Sequence, residues 1–294
     1  MEKSADRTKS DIAFARIDAW WDEWLAVLDS LSEDDLEIPG VCGKWSARDL
    51  MAHVDGWDLH AALVAERSAA GLPLDDPELR GTNRRSAERY EDRSVRDSRA
   101  LMEQTHVDML RRLRALGEIE PKWVAEDTYR HYPDHIGNVL EWRAQRAAER
   151  DASLTNEQIV AAIDREWTIW LATLDGIPES LQSERGVCGT WSVKDVLGHI
   201  ALWDRRSLEY AQRRQRGDET PREINWQAIN DESSARNRDR SPEDLRTEMD
   251  ANHQELLAAI PTLSNLEAGW IADGTYEHYP QHIAQVRAWK RWRL

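Results

Sequence analysis

Cysteine is nearly absent: two residues in 294 do not make a disulfide framework. The thiols therefore read as reduced and the compartment as cytoplasmic. No apolar run approaches the roughly 18 residues a membrane span needs. The opening MEKSADRTKSDIAF mixes both charges and has no apolar segment, so a secretory signal is not expected. Phenylalanine occurs once, and 15 tryptophans supply the large aromatic volume instead. Alternating β-branched runs bounded by tight turns are missing, so strands are not expected. A glycine-rich phosphate loop, a nucleophile elbow, CxxC and a calcium loop are also missing. Basic residues are outnumbered, 39 against 55 acids, for a formal charge of −16. That excess repels phosphate, so neither nucleic acid nor an anionic membrane is a partner.

What the chain has is a second copy of itself. GVCGKWSARDLMAHVDGWD from Gly40 returns as GVCGTWSVKDVLGHIALWD from Gly186. An offset of 146 carries Trp21 to Trp167, Trp45 to Trp191, His53 to His199 and Trp57 to Trp203. An offset of 147 carries Asn83 to Asn230, Trp123 to Trp270, His131 to His278 and His135 to His282. The single gap falls in a Gly/Pro-bearing stretch between about 59 and 83, where insertions are tolerated. Two units are too few for a solenoid. The expected architecture is all-α, two tandem four-helix bundles over 1–150 and 151–294, related by pseudo-twofold symmetry. That arrangement is a pseudo-dimer within one chain, itself monomeric or homodimeric.

Each copy reads as four helices. Ile159, Ile163, Trp167, Trp170, Leu171 and Leu174 recur at helical spacing on one face,. Thr155 with Gln158, Ser46 with Asp49, Ser192 with Asp195, Ser94 with Asp97, and Ser241 with Asp244 have the spacing of helix caps,. Pro242 stands at a first helical position, where its missing N–H costs nothing. The links over 70–93 and 217–240 are long for a bundle and leave room for a short helix near 83–92 and 228–238.

Nine histidines are present, and six form two matched sets: His53, His131, His135 and His199, His278, His282. In each set one lies midway along helix two, and the other two are four apart at the head of helix four. Such a pair shares a helical face, and a third imidazole from a facing helix completes a site with open coordination positions. Core histidines satisfied by hydrogen bonds are the competing reading. Pro133 and Pro280 lie inside the pairs, so helix four is expected to begin there, with His131 and His278 at its mouth. The positive helix end favours neutral imidazole, the metal-binding form. His106 and His253 match each other but have no histidine partner on their own helix, and read as core. His60 has no counterpart. Trp57 and Trp203 also read as core. Cys42 and Cys188, just before helix two, are open between a thiolate stabilised by the helix and a small buried residue.

GKWSARDLMAHVDGWD and GTWSVKDVLGHIALWD resemble the WS-x-(K/R)-D-x-x-x-H helix of the DinB/YfiT-like superfamily. HYPDHIGNV and HYPQHIAQV resemble its HxxxHxxQ helix, and the middle segments are similar to the ClbS/DfsB-type branch. The resemblance implies four-helix bundles holding a divalent metal, zinc or nickel, on three histidines. It further implies thiol-dependent transferases or isomerases using mycothiol or bacillithiol, and self-protection proteins, though a fold does not settle function. Asn138 stands where the pattern has Gln, which the second copy keeps as Gln285, making the first site the more doubtful one.

The function expected is a metal-dependent hydrolase or thiol-transferase-like enzyme acting on a small reactive compound, with a low-molecular-weight thiol as a candidate cosubstrate. Tyr129 and Glu126 in the first copy, and Tyr276 and Asp273 in the second, are the candidates for proton handling. The alternative is a non-catalytic bundle that sequesters its small-molecule ligand.

Overall fold

The computed structural model describes residues 7–75, 77–220, 225–264 and 266–294. The first six residues and the 221–224 part of the second long link lie outside it. Two compact units emerge, Met1–Val139 with Arg291–Leu294, and Leu140–Lys290.

The principal helices of the first copy are α1 (Lys9–Asp29), α3 (Ala47–Ala69), α5 (Val95–Ala115) and α6 (Tyr132–Arg150), with short α2 (Glu33–Glu37) and α4 (Thr82–Tyr90) between them. The second copy repeats them as α7 (Asn156–Leu174), α8 (Val193–Gln215), α10 (Pro242–Ala259) and α11 (Tyr279–Arg293), with α9 (Trp226–Asn237) in the long link. The short helices expected in the links are therefore α4 and α9. The five-residue α2 was not expected; its start is set by a Ser32–Asp35 capping box.

Local chemistry explains the boundaries. Reciprocal capping boxes close the starts of α3 (Ser46, Asp49), α7 (Thr155, Gln158), α8 (Ser192, Asp195) and α10 (Ser241, Asp244). Each satisfies backbone donors that the first helical turn leaves open. Asp49 and Asp195 are thus engaged as caps. Pro133 and Pro280 occupy the second positions of α6 and α11, where no intrahelical hydrogen bond is lost.

Within each copy helix two lies along helix three, α3 on α5 and α8 on α10. The indole of Trp24 donates to Met102 Sδ at 3.3 Å, and Trp170 repeats this with Met249 at 3.3 Å. All four side chains are buried.

One expectation is corrected. The repeated GVCG-x-W motif forms a tight antiparallel turn, as β1 (Arg185–Cys188) and β2 (Trp191–Ser192) in the second copy and as a Cys42–Trp45 bridge in the first. Its glycines make this possible. Gly43 and Gly189 hold φ of 61° and 56°, a left-handed backbone that disfavours other residues. The strands are too short for alternation to show. Their effect is to set Trp45 and Trp191 against the histidine of the following helix, at ring separations of 5.0 and 4.9 Å from His53 and His199.

Candidate metal centre

The six matched histidines meet as two clusters, in which the ligand atoms of each trio lie within 4.8 Å of one another. In the first, Nε2 of His131 is 2.9 Å from Nε2 of His53 and 2.9 Å from Nε2 of His135. In the second, Nε2 of His278 is 3.1 Å from Nε2 of His199 and 3.0 Å from Nε2 of His282. His53 and His199 come from the second turn of α3 and α8, nearer the helix start than the midway position expected. The other two come from the residue preceding helix four and from its first turn.

The clusters suit a cation better than a proton. Burial, then the charge of its neighbour His135, lowers the pKa of His53 to about 4, and burial takes His131 to about 3. His282 falls to about 4, and His135 and His199 are also lowered, burial being the leading cause for each. Where such neutral rings carry their proton on Nδ1, Nε2 lone pairs face one another at close range, an arrangement a positive ion relieves. Zn–N bonds of about 2.0–2.1 Å in a tetrahedron put ligand nitrogens about 3.3–3.4 Å apart, slightly wider than the separations here. An all-imidazole set suits zinc, copper, iron or nickel.

Tautomers support the same fit. Nδ1 of His135 is 3.2 Å from Asn138 Oδ1, and Nδ1 of His282 is 2.8 Å from Gln285 Oε1. An amide oxygen can only accept, so Nδ1 carries the proton and Nε2 keeps the lone pair aimed at the centre. Asn138 therefore makes the contact expected of a glutamine, over a longer distance.

The candidates for proton handling have other partners. Glu126 is exposed and paired with Arg130. Tyr129 is buried, with the Arg16 guanidinium 5.6 Å over its ring. The hydroxyl of Tyr276 donates to Asp151 at 2.9 Å, and burial with that carboxylate pushes its pKa up. Asp273 lies in a half-buried 3-10 turn.

Sequence reasoning missed two features. His106 and His253 are core residues, but they belong to a polar tie repeated in both copies. Asp58 receives the Tyr132 hydroxyl at 2.5 Å and faces His106 Nδ1 at 2.8 Å, while Trp21 stacks on the imidazole at 3.6 Å. Asp204, Tyr279, His253 and Trp167 repeat it, at 2.5, 3.3 and 3.6 Å respectively. Four helices are joined beside each centre, because Tyr132 and Tyr279 directly follow His131 and His278. The repeated Trp-Asp and His-Tyr-Pro pairs were the available signal. The second feature belongs to the first copy alone. Nδ1 of His60 is 2.6 Å from Asp127 Oδ2, and Trp57 stands 5.0 Å from the His60 ring and 5.6 Å from that of His131. His60 offered no signal, since its counterpart is Arg206 and that of Asp127 is Gly274.

Neither cysteine is in a disulfide. Burial raises the Cys188 pKa despite a hydrogen bond to Gln285, so the activated thiolate is not supported there. Trp203 is core, but Trp57 is half-buried and donates to Asn83 Oδ1 at 3.1 Å. A cavity of about 160 Å3 lies beside His53, lined also by Trp45, Arg48, Asn83, Ser86 and Tyr90. No described helix is long and apolar enough to cross a membrane.

Comparison with known proteins agrees with this reading in both halves. Residues 162–290 match the model of the DinB superfamily, and residues 17–150 match that of the mycothiol maleylpyruvate isomerase N-terminal domain. No curated protein and no solved structure gives a significant match. With one such domain in each half and a histidine trio in each, the chain belongs to the DinB-like superfamily as a two-domain member.

Proposed function

We propose that the protein is a divalent-metal-dependent enzyme, a hydrolase or thiol transferase, that converts a small reactive compound. The observation that carries this is the convergence of three neutral imidazole nitrogens beside a cavity. His53, His131 and His135 would hold zinc or nickel in the first copy, and His199, His278 and His282 in the second. When bound, such an ion lowers the pKa of a coordinated water or thiol and polarises the substrate. The name of the matched model, which includes mycothiol, makes a low-molecular-weight thiol a reasonable cosubstrate.

The chain's own residues supply the rest. Asn138 and Gln285 fix two ring orientations through Nδ1. Asp127 holds Nδ1 of His60, which leaves His60 Nε2 with the lone pair to accept a proton from the nucleophile. Trp57 packs beside both His60 and His131. In this scheme His60 has the proton-handling role at the first centre. The cavity of about 160 Å3 is smaller than the roughly 300 Å3 and more that encloses a drug-sized ligand. Its size favours turnover of a small compound over sequestration of a large one.

Metal analysis of protein purified without chelator tests the reading, with two ions per chain expected and one lost from a His53→Ala/His135→Ala variant. Protein free of metal, with no affinity for added zinc or nickel, overturns it. With metal present, product formed in excess over protein from an electrophile and a thiol indicates an enzyme, and protection limited to one equivalent indicates the sequestering alternative.

A further inference from the structure

The two centres share ligands but not surroundings. His53 and His131 are half-buried, with only His135 fully enclosed, whereas His199, His278 and His282 retain 4, 8 and 4% of their exposure. Four pairs of matched positions account for the difference. Gly56 corresponds to Leu202, and Thr82 to Ile229. In the second copy Leu202, Trp203 and Ile229 form one apolar cluster in which Trp203 is 0% exposed; in the first, the positions matching Leu202 and Ile229 are a glycine and a threonine, and Trp57 is half-buried. Ala52 corresponds to Gly198, and Tyr90 to Asn237.

The last two pairs act next to the ligand itself. A Cβ at Gly198 would lie 2.0 Å from Asn237 Nδ2, so the glycine lets α9 bring a buried amide down onto α8 at the residue before His199. In the first copy the close approach is shifted by one turn. There a Cβ at Gly56 would lie 1.8 Å from Ser86 Oγ, and Ala52 and Tyr90 line the cavity beside His53. The second copy also has Arg206 and Gly274 in place of His60 and Asp127.

We infer that the copies have divided the work: the first centre is the open, reactive one, and the second is a closed metal site that holds its own bundle together. This rests on the metal reading above. It reverses the expectation from Asn138 that the first site is the doubtful one. A closed site exchanges its ion only when the covering segment opens, so its release is limited by local unfolding. An open site exposes its ion to attack without that step, and a vacant coordination position is what reaction requires.

The test is release of bound zinc to an excess of a coloured chelator, followed by stopped flow on the full chain loaded with two equivalents. Two phases of one equivalent each are expected, with rates separated by about tenfold or more, equivalent to about 1.4 kcal/mol of opening free energy. His53→Ala/His135→Ala removes the fast phase and leaves thermal unfolding of the second bundle unchanged. His199→Ala/His282→Ala removes the slow phase and lowers that unfolding temperature. Because this variant risks not folding, Ile229→Thr and Gly198→Ala serve as the second arm; each loosens the cover without touching a ligand and accelerates the slow phase. Two ions released at one rate, or insensitivity of the slow phase to both cover variants, overturn the division while leaving the metal reading intact. So does a single ion held by either centre alone. Absence of any bound zinc overturns both.

Discussion

Removal of the Asp58 carboxylate tests whether the buried tie matters as the geometry says. Asp58 is fully buried, and in Asp58→Ala the Tyr132 hydroxyl and the His106 Nδ1–H lose their acceptor at once. Each buried donor left unpaired costs about 1–3 kcal/mol. His106 is held face to face by Trp21 at 3.6 Å, so it cannot easily turn to another partner. The expected loss is about 3–5 kcal/mol, or a fall of about 10 °C for a unit of this size. Tyr132→Phe removes a single donor and is expected to cost about 1–2 kcal/mol. The two changes share one hydrogen bond, so the double variant loses less than the sum by about 0.5–3 kcal/mol. Urea unfolding followed by tryptophan fluorescence measures this, with Asp204→Ala as the matched change in the second copy. Since Tyr132 follows His131, zinc affinity at the first centre falls as well. Strict additivity, or a destabilisation by Asp58→Ala below about 0.5 kcal/mol, refutes the tie.

Asn138→Ala and Gln285→Ala each free one imidazole Nδ1, and zinc affinity by competition titration is expected to fall about 10–100-fold at the corresponding centre. His60→Ala is expected to lower kcat by about 10²–10⁴-fold while zinc content by metal analysis stays at two ions, as suits a proton carrier that is not a ligand. For the metal-free protein, folded pKa values near 4 and 3 for His53 and His131 lie below the ordinary 6.5. The unfolded chain therefore takes up protons first. Stability is full above about pH 6.5 and is lost as pH falls toward the folded values, by up to about 1.4 kcal/mol per unit per histidine and less where solvent screens the ring. Urea midpoints between pH 7 and pH 4 check this; a flat profile contradicts it.

The helices and their starts were legible because caps and apolar spacing are local. Ser46 and Asp49, or Thr155 and Gln158, need only their own turn to act. The triads were legible for a different reason: duplication marked His53, His131 and His135 as one set by repeating them at matched offsets. Asp58 and Tyr132 were repeated as faithfully and went unread, since Asp58 and His106 are far apart in sequence and neither has a ligand-like spacing. His60 and Asp127 form their pair only through the fold, which brings the fourth turn of α3 against the turn before α6. The GVCG turn escaped because strands of four and two residues cannot show a period of two.

The repeat that exposed the ligands also hid what separates the two centres. A duplicated site begins with two equivalent copies, and its ligands stay recognisable as long as either a reaction or a bundle depends on the ion. The residues that set access are under no such common demand. Gly56 against Leu202, Thr82 against Ile229 and Ala52 against Gly198 look like ordinary drift when aligned, and none of them touches the ion. Packing gives them their meaning. A glycine placed one turn earlier moves the covering helix's close approach from Gly56 to Gly198, the residue before His199, and an isoleucine in place of a threonine completes the apolar cluster with Trp203. Exchanging the cover therefore changes the character of a centre more readily than exchanging its ligands. Ala52→Gly with Tyr90→Asn and Thr82→Ile, made together in the first copy, should slow zinc release there towards the rate of the second. If the fast phase survives that transfer, access is set elsewhere.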